Sequence, residues 1–112
     1  MLVIKRDGSE VPFDCNKIIT AINKAFKEVD GKVYENDTAT DIALEIGNIV
    51  DEKAKPMTVE EIQDLVEEYL MRSERPDVAR AYIRYRYKKE VARNFRHDFI
   101  DVIVEKLEAA DV

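Results

Sequence analysis

At 112 residues the chain has room for one modest core, and a composition of 46% hydrophobic and 38% charged residues suits a strongly helical globular domain rather than a disordered one. A net charge of -6 argues against general nucleic-acid binding. A single cysteine and a single histidine exclude an internal disulfide and a conventional four-ligand zinc site.

No apolar run approaches the roughly 20 residues of a membrane span. The opening MLVIKRDGSE lacks the apolar core of a secretory signal, so the expected location is cytoplasmic. The first elements expected are two short strands, Leu2 to Arg6 and Ser9 to Phe13, joined by a two-residue Asp7-Gly8 loop of type I′. Alternation sends Val3 and Lys5 to one face of this hairpin and Ile4 and Arg6 to the other. A lone hairpin is marginal, so it must lie on something.

Asp14 is placed as the N-cap of a first helix, whose stripe of Ile18, Ile22, Ala25, Phe26 and Val29 ends at Asp30-Gly31. A second helix begins near Asp37 or Thr38, carries Ala39, Ile42, Ala43, Ile46, Ile49 and Val50 on one side, and stops before Pro56. Thr58 and Glu61 form a capping box for a third, with Ile62, Leu65, Val66, Tyr69 and Leu70 as its core stripe. Arg75-Pro76-Asp77 restarts the chain into a fourth helix to about Arg93, with Ala79, Tyr82 and Ile83 recurring. Phe95, Phe99, Ile100, Ile103 and Leu107 predict a separate last helix with a partnerless apolar face. The expected fold is mainly α: an N-terminal β-hairpin lid packed on a bundle of about four helices, plus a C-terminal helix.

Charge is unevenly placed. Residues 35 to 74 hold twelve acids and three bases, whereas residues 80 to 96 hold seven bases and one acid. By pattern alone, that basic stretch reads equally as a solvated helix face or a binding surface. The chain pairs no nucleophile with a base, and His97 reads as a surface residue. Its three glycines are scattered, which excludes a P-loop and a dinucleotide fingerprint. What remains is the opening string, in which hairpin folding would carry Lys5, Arg6 and Lys17 to one end of an apolar surface of Val3, Val11, Phe13 and Ile18. Such a place suits an anion attached to a flat ring. Adjacent Lys and Arg on an edge strand also serve simply to deter edge pairing, and from physics alone that reading has the advantage.

The same string resembles the signature of ATP-cone domains, a Val-x-Lys-Arg-Asp-Gly hairpin followed by Phe-x-x-x-Lys-Ile, here Val3 to Gly8 and Phe13 to Ile18. MTVEEIQDLVEEYL is similar to the third-helix segment of that family and VARAYIRYRYKKE to its fourth. This likeness assigns residues 1–93 to an ATP-cone domain. NFRHDFIDVIVEKLEAADV, residues 94–112, is similar to the linker and opening helix of the catalytic domain in anaerobic, glycyl-radical ribonucleotide reductases.

The resemblance implies an allosteric domain that binds ATP or dATP and controls such a reductase without doing chemistry itself. The chain would be an excised N-terminal regulatory piece, partnered by the parent's catalytic domain and by nucleotide-dependent copies of itself. The family's pattern sets Val3 near the adenine, Lys5 and Arg6 at the phosphates, and Lys17 near the base or ribose. Gln63, a position that is His in some aerobic-type cones, is assigned a ribose or phosphate contact. Lys88 matches a phosphate-binding Lys, with Arg84 and Tyr85 close by. Val11 stands where relatives carry an acid, and Asp14 is either a polar contact or only an N-cap. Magnesium is expected with the triphosphate, held by phosphate oxygens and water. Two alternatives accompany this reading. One is the cone of a nucleotide-sensing transcriptional repressor, whose four-cysteine zinc ribbon has no counterpart here, and the other is a helical interaction module with a degenerate pocket.

Overall fold

Four helices and a three-stranded sheet make up the structure, a computed structural model that describes residues 1–32 and 37–110. The chain divides into two units, Met1–Tyr82 and Ile83–Val112.

In the first unit, β1 (Leu2–Ile4) and β2 (Glu10–Pro12) form the expected hairpin, but with shorter strands and a different turn. Lys5 N–H donates to Ser9 O at 2.8 Å and Gly8 N–H to Lys5 O at 2.9 Å, leaving Arg6, Asp7 and Gly8 as a three-residue loop. Gly8 has φ +87°, whereas no non-glycine among the described residues has a positive φ, so Asp7 cannot take the place that a type I′ turn assigns it. The Asp7 carboxylate instead accepts from the Ser9 N–H at 2.9 Å and the Ser9 hydroxyl at 2.6 Å, holding the loop from inside. Those bonds keep the Asp7 carboxyl below its usual range, the Ser9 hydroxyl contributing most. One extra loop residue shifts the register by one. Val3 therefore pairs with Val11, where the expected turn would have set it against Pro12.

A third strand, β3 (Met57–Thr58), lies parallel to β1 with Val3 opposite Met57 and Ile4 opposite Thr58, which makes β1 the central strand. Two residues without alternation give no strand signal, so β3 escapes sequence patterning.

Helix α1 (Cys15–Asp30) is capped by Asp14, whose carboxylate accepts from Asn16 N–H at 2.9 Å, and closes on Gly31 in the left-handed region. Helix α2 (Asp37–Glu52) buries Ala39, Ile42, Ala43, Ile46, Gly47 and Val50. Helix α3 (Val59–Arg72) starts with the expected capping box, the Thr58 hydroxyl accepting from Glu61 N–H at 3.1 Å. Helix α4 spans Pro76–Ala110, so the C-terminal helix is continuous with the fourth rather than separate from it. No glycine or proline falls between Asp77 and Ala110 to end it.

Ile22, Ile46, Leu70 and Val78, one from each helix, are the largest fully buried side chains. Where α4 belongs to the first unit, Val78, Ala79, Ala81 and Tyr82 are buried, while Ile83, expected on the core stripe, is exposed. Arg75 ties the end of α1 to the start of α4, donating to Asp30 at 2.6 Å and to Asp77 at 3.1 Å, with its guanidinium 5.5 Å from the Phe26 ring centroid. These bonds, Asp30 first, raise the Arg75 pKa, and Arg75 in turn holds the Asp77 carboxyl below its usual range.

In the second unit, Phe95 and Phe99 stack one helical turn apart with centroids 6.3 Å apart, and Ile100, Val102, Ile103, Val104 and Leu107 are exposed. No described helix is long and apolar enough to cross a membrane.

Candidate functional site

A cavity of about 320 Å³ opens in the first unit between the hairpin, α1 and α3, at the small end of the roughly 300 to 1,000 Å³ typical of ligand pockets. The hairpin lends it Val3, Lys5, Arg6, Val11, Pro12 and Phe13; α1 with its cap lends Asp14, Lys17, Ile18 and Ala21; α3 lends Val59, Ile62, Gln63 and Val66; and Tyr82 closes the set. Most of this lining is apolar. Three cations, Lys5, Arg6 and Lys17, stand on it, and all three side chains are exposed.

The placement follows from local structure. The register that sets Val3 against Val11 puts both on the side facing the cavity, with Val3 buried and Val11 half-buried. Asp14 terminates the chain's extended path, turning it so that Lys17 falls in the first turn of α1 and Ile18 beneath it. Because β3 runs directly into the N-cap of α3, the β1–β3 ladder brings the hairpin turn to the first turns of that helix. There Arg6 Nε meets Glu60 Oε1 at 2.8 Å, and Arg6 Nη2 donates to Gln63 Oε1 at 3.2 Å. Lys5 and Lys17 have no ion-pair partner among the described residues.

Six of the sequence-derived candidates, Val3, Lys5, Arg6, Asp14, Lys17 and Gln63, thus surround one cavity. The two readings of Asp14 are compatible, since it caps α1 while lining the cavity. Arg84, Tyr85 and Lys88 belong to the second unit. Within it the Lys89 ammonium lies 5.6 Å from the Tyr85 ring centroid, and Lys88 is exposed. The His97 side chain lies outside the described residues. Sequence reasoning missed Glu60, which reads only as an acid in a helix's first turn. Ile62 and Val66 were visible as a core stripe at helical spacing, with no sign that they also floor a cavity. Among the described residues no group of three or more His, Cys, Asp or Glu side chains could hold a metal ion.

The fold and cavity define a small, mainly helical domain in which a hairpin gathers cations beside an apolar floor. The ATP cone domain family matches residues 1–91, and the chain belongs to that family. It is 38% identical to the anaerobic ribonucleoside-triphosphate reductase of Haemophilus influenzae over 111 residues, covering 98% of this chain and 15% of that protein. With the vitamin B12-dependent ribonucleoside-diphosphate reductase of Thermoplasma acidophilum it shares 42% identity over 96 residues, 81% of this chain and 12% of that protein. The anaerobic ribonucleoside-triphosphate reductase of Escherichia coli is 36% identical over 97 residues, 84% of this chain and 13% of that protein. The chain thus spans a small part of the length of these relatives.

Proposed function

We propose that the chain is an allosteric domain that binds ATP or dATP in this cavity and thereby controls the overall activity of an anaerobic ribonucleotide reductase. One observation carries the reading: in a member of the ATP cone family, three cations stand together at an apolar cavity. Val3 and Val11 supply aliphatic surface for the adenine ring, Lys5 and Arg6 meet the phosphates, and Lys17 lies at the base or ribose. Gln63 contacts the ribose or a phosphate. Asp14 offers a carboxylate oxygen to a base or sugar donor without leaving its cap. On the family's pattern alone, Lys88 matches a phosphate-binding Lys, with Arg84 and Tyr85 near it in sequence.

The magnitudes are sufficient. Charge-assisted hydrogen bonds contribute about 1.5 to 3 kcal/mol each, and micromolar affinity needs about 8 kcal/mol, so three cations with an apolar base contact reach it. Magnesium would arrive with the triphosphate and take its ligands from phosphate oxygens and water.

Regulation requires that the nucleotide bind the active and inactive arrangements of the reductase with different affinity. The partners are accordingly the catalytic part of the parent enzyme, which acts in the cytoplasm, and further copies of the same domain. In this reading residues 1–93 form the cone, residues 94–112 lead toward the catalytic part, and the chain itself performs no chemistry. Calorimetric titration with ATP and with dATP, each with magnesium, tests the proposal. Saturable binding of either supports it, and absence of binding by both sinks it. Size-exclusion chromatography without ligand, with ATP and with dATP then reads the expected change in oligomer.

A further inference from the structure

Among the described residues, Arg6 is the one cavity cation held in an ion pair within 4.0 Å. The parallel ladder ends with Ile4 opposite Thr58, and Arg6 and Glu60 each stand two residues beyond it, so the ladder brings their two segments together. The contact is well formed, with Nε 2.8 Å from Glu60 Oε1 and Nη2 3.2 Å from Gln63 Oε1. Those two nitrogens form one forked edge of the guanidinium, the geometry with which arginine takes a carboxylate or a phosphate. Gln63 is a neutral partner that a phosphate need not repel. Glu60 carries the same sign as the phosphate and holds the Nε prong of the fork that a phosphate would take.

We infer that Glu60 is an internal competitor for Arg6, a carboxylate that occupies the phosphate position and must be displaced when a polyphosphate binds. The inference rests on the nucleotide reading of the cavity. Displacement is feasible because the pair is not sealed: the side chains of Arg6 and Glu60 are 36% and 49% exposed, so the released carboxylate has water to turn into. The exchange acts as a threshold on ligand charge. A ligand with a single phosphate trades one anion for another at Arg6 and gains little. A triphosphate also reaches Lys5, whose ammonium group has no ion-pair partner among the described residues, and draws its net gain there. Glu60 therefore lowers the affinity for any ligand that sets a phosphate on Arg6, and only a ligand with further phosphates to offer Lys5 recovers the loss.

The test is calorimetric titration of the full chain and its Glu60→Gln and Glu60→Ala variants with magnesium ATP, inorganic tripolyphosphate and adenosine. Since a half-exposed ion pair is worth up to about 1 kcal/mol, both variants should bind ATP and tripolyphosphate about two- to fivefold more tightly. Adenosine, which never meets Arg6, should be unaffected. In an Arg6→Ala background the Glu60→Gln gain should vanish, which identifies Arg6 as the shared partner. A wild-type chain that binds ATP while Glu60→Gln binds it equally or more weakly would overturn the competition and make Glu60 a support for Arg6 instead. Equal tightening for adenosine would overturn it as well, by showing a general loosening of the cavity. A wild-type chain that binds neither ATP nor tripolyphosphate overturns the nucleotide reading itself, a result distinct from either of these.

Discussion

Replacing Gly8 by alanine tests whether the hairpin turn, and through it the register of the site, has been correctly explained. Gly8 has φ +87°, and a Cβ built there meets no atom within 4 Å. Crowding therefore contributes nothing, and the whole effect is backbone strain. An L residue in the left-handed region costs about 1 to 2 kcal/mol, offset in part by about 0.4 to 1 kcal/mol from the stiffer unfolded chain. Net destabilisation should be close to 1 kcal/mol. With a urea dependence of about 1 to 3 kcal/mol/M, the unfolding midpoint should fall by about 0.3 to 1 M. Gly8→Asn should lose clearly less, because asparagine tolerates this conformation. The register itself should survive, since β3 holds the other edge of β1 through Val3 and Ile4. ATP affinity measured well below the midpoint should consequently be unchanged. An alanine variant as stable as the wild type, or an asparagine variant as damaged as the alanine one, would refute the strain argument.

Other perturbations separate the site from its scaffold. Lys17→Ala should weaken ATP binding about 10- to 100-fold, the value of one charge-assisted contact, while leaving urea stability within about 0.5 kcal/mol because the side chain is exposed. Gly47→Ala should stabilise the chain by up to about 1 kcal/mol through helix propensity, since the added Cβ would stand 3.4 Å from Phe13 Cε1, an ordinary contact; a lower melting temperature would show that Phe13 cannot yield. Asp77 has a folded pKa held below 3.8, first by its Arg75 hydrogen bonds. Its stabilising contribution is thus full above its unfolded pKa and is lost as pH falls below 3.8 through the folded value. Urea midpoints measured from neutral pH downward should fall less steeply at the acid end for Asp77→Asn than for the wild type. Asp7, held down by Ser9, has the same sign and leaves a residual slope.

Legibility followed the range of the interactions. The helix starts at Asp14 and Thr58 were readable because a cap is a local bond between residues two or three apart. The buried stripes of α1, α2 and α3 were readable because burial is periodic. Asp7-Gly8 signalled a turn but not its type, because that choice depends on which residue adopts positive φ, and the Ser9 hydroxyl decided it by holding Asp7. The break expected near Arg93 rested on a change in apolar pattern. Such a change alters what a helix faces, not whether its backbone bonds continue, and α4 runs through it. Nor could patterning reveal β3 or the Arg6–Glu60 pair, each of which joins segments more than fifty residues apart.

The candidate site divides along the same line. Val3, Lys5, Arg6, Asp14 and Lys17 lie within fifteen residues of sequence, and a hairpin followed at once by a capped helix leaves little freedom in where they go. Gln63 and Glu60 come from a distant segment, and their arrival depends on one residue with two duties. Thr58 ends the ladder with β1 and also caps α3. The hairpin turn and the first turn of α3 are thereby fixed to a common point, so Arg6 cannot move toward a ligand without parting from Glu60. Replacement of the Glu60 carboxylate by a phosphate would leave the backbone register intact and change only which anion Arg6 answers. On the nucleotide reading, such a cavity would register the charge of its ligand at α3, a helix that also carries Ile62, Val66 and Leu70 into the core.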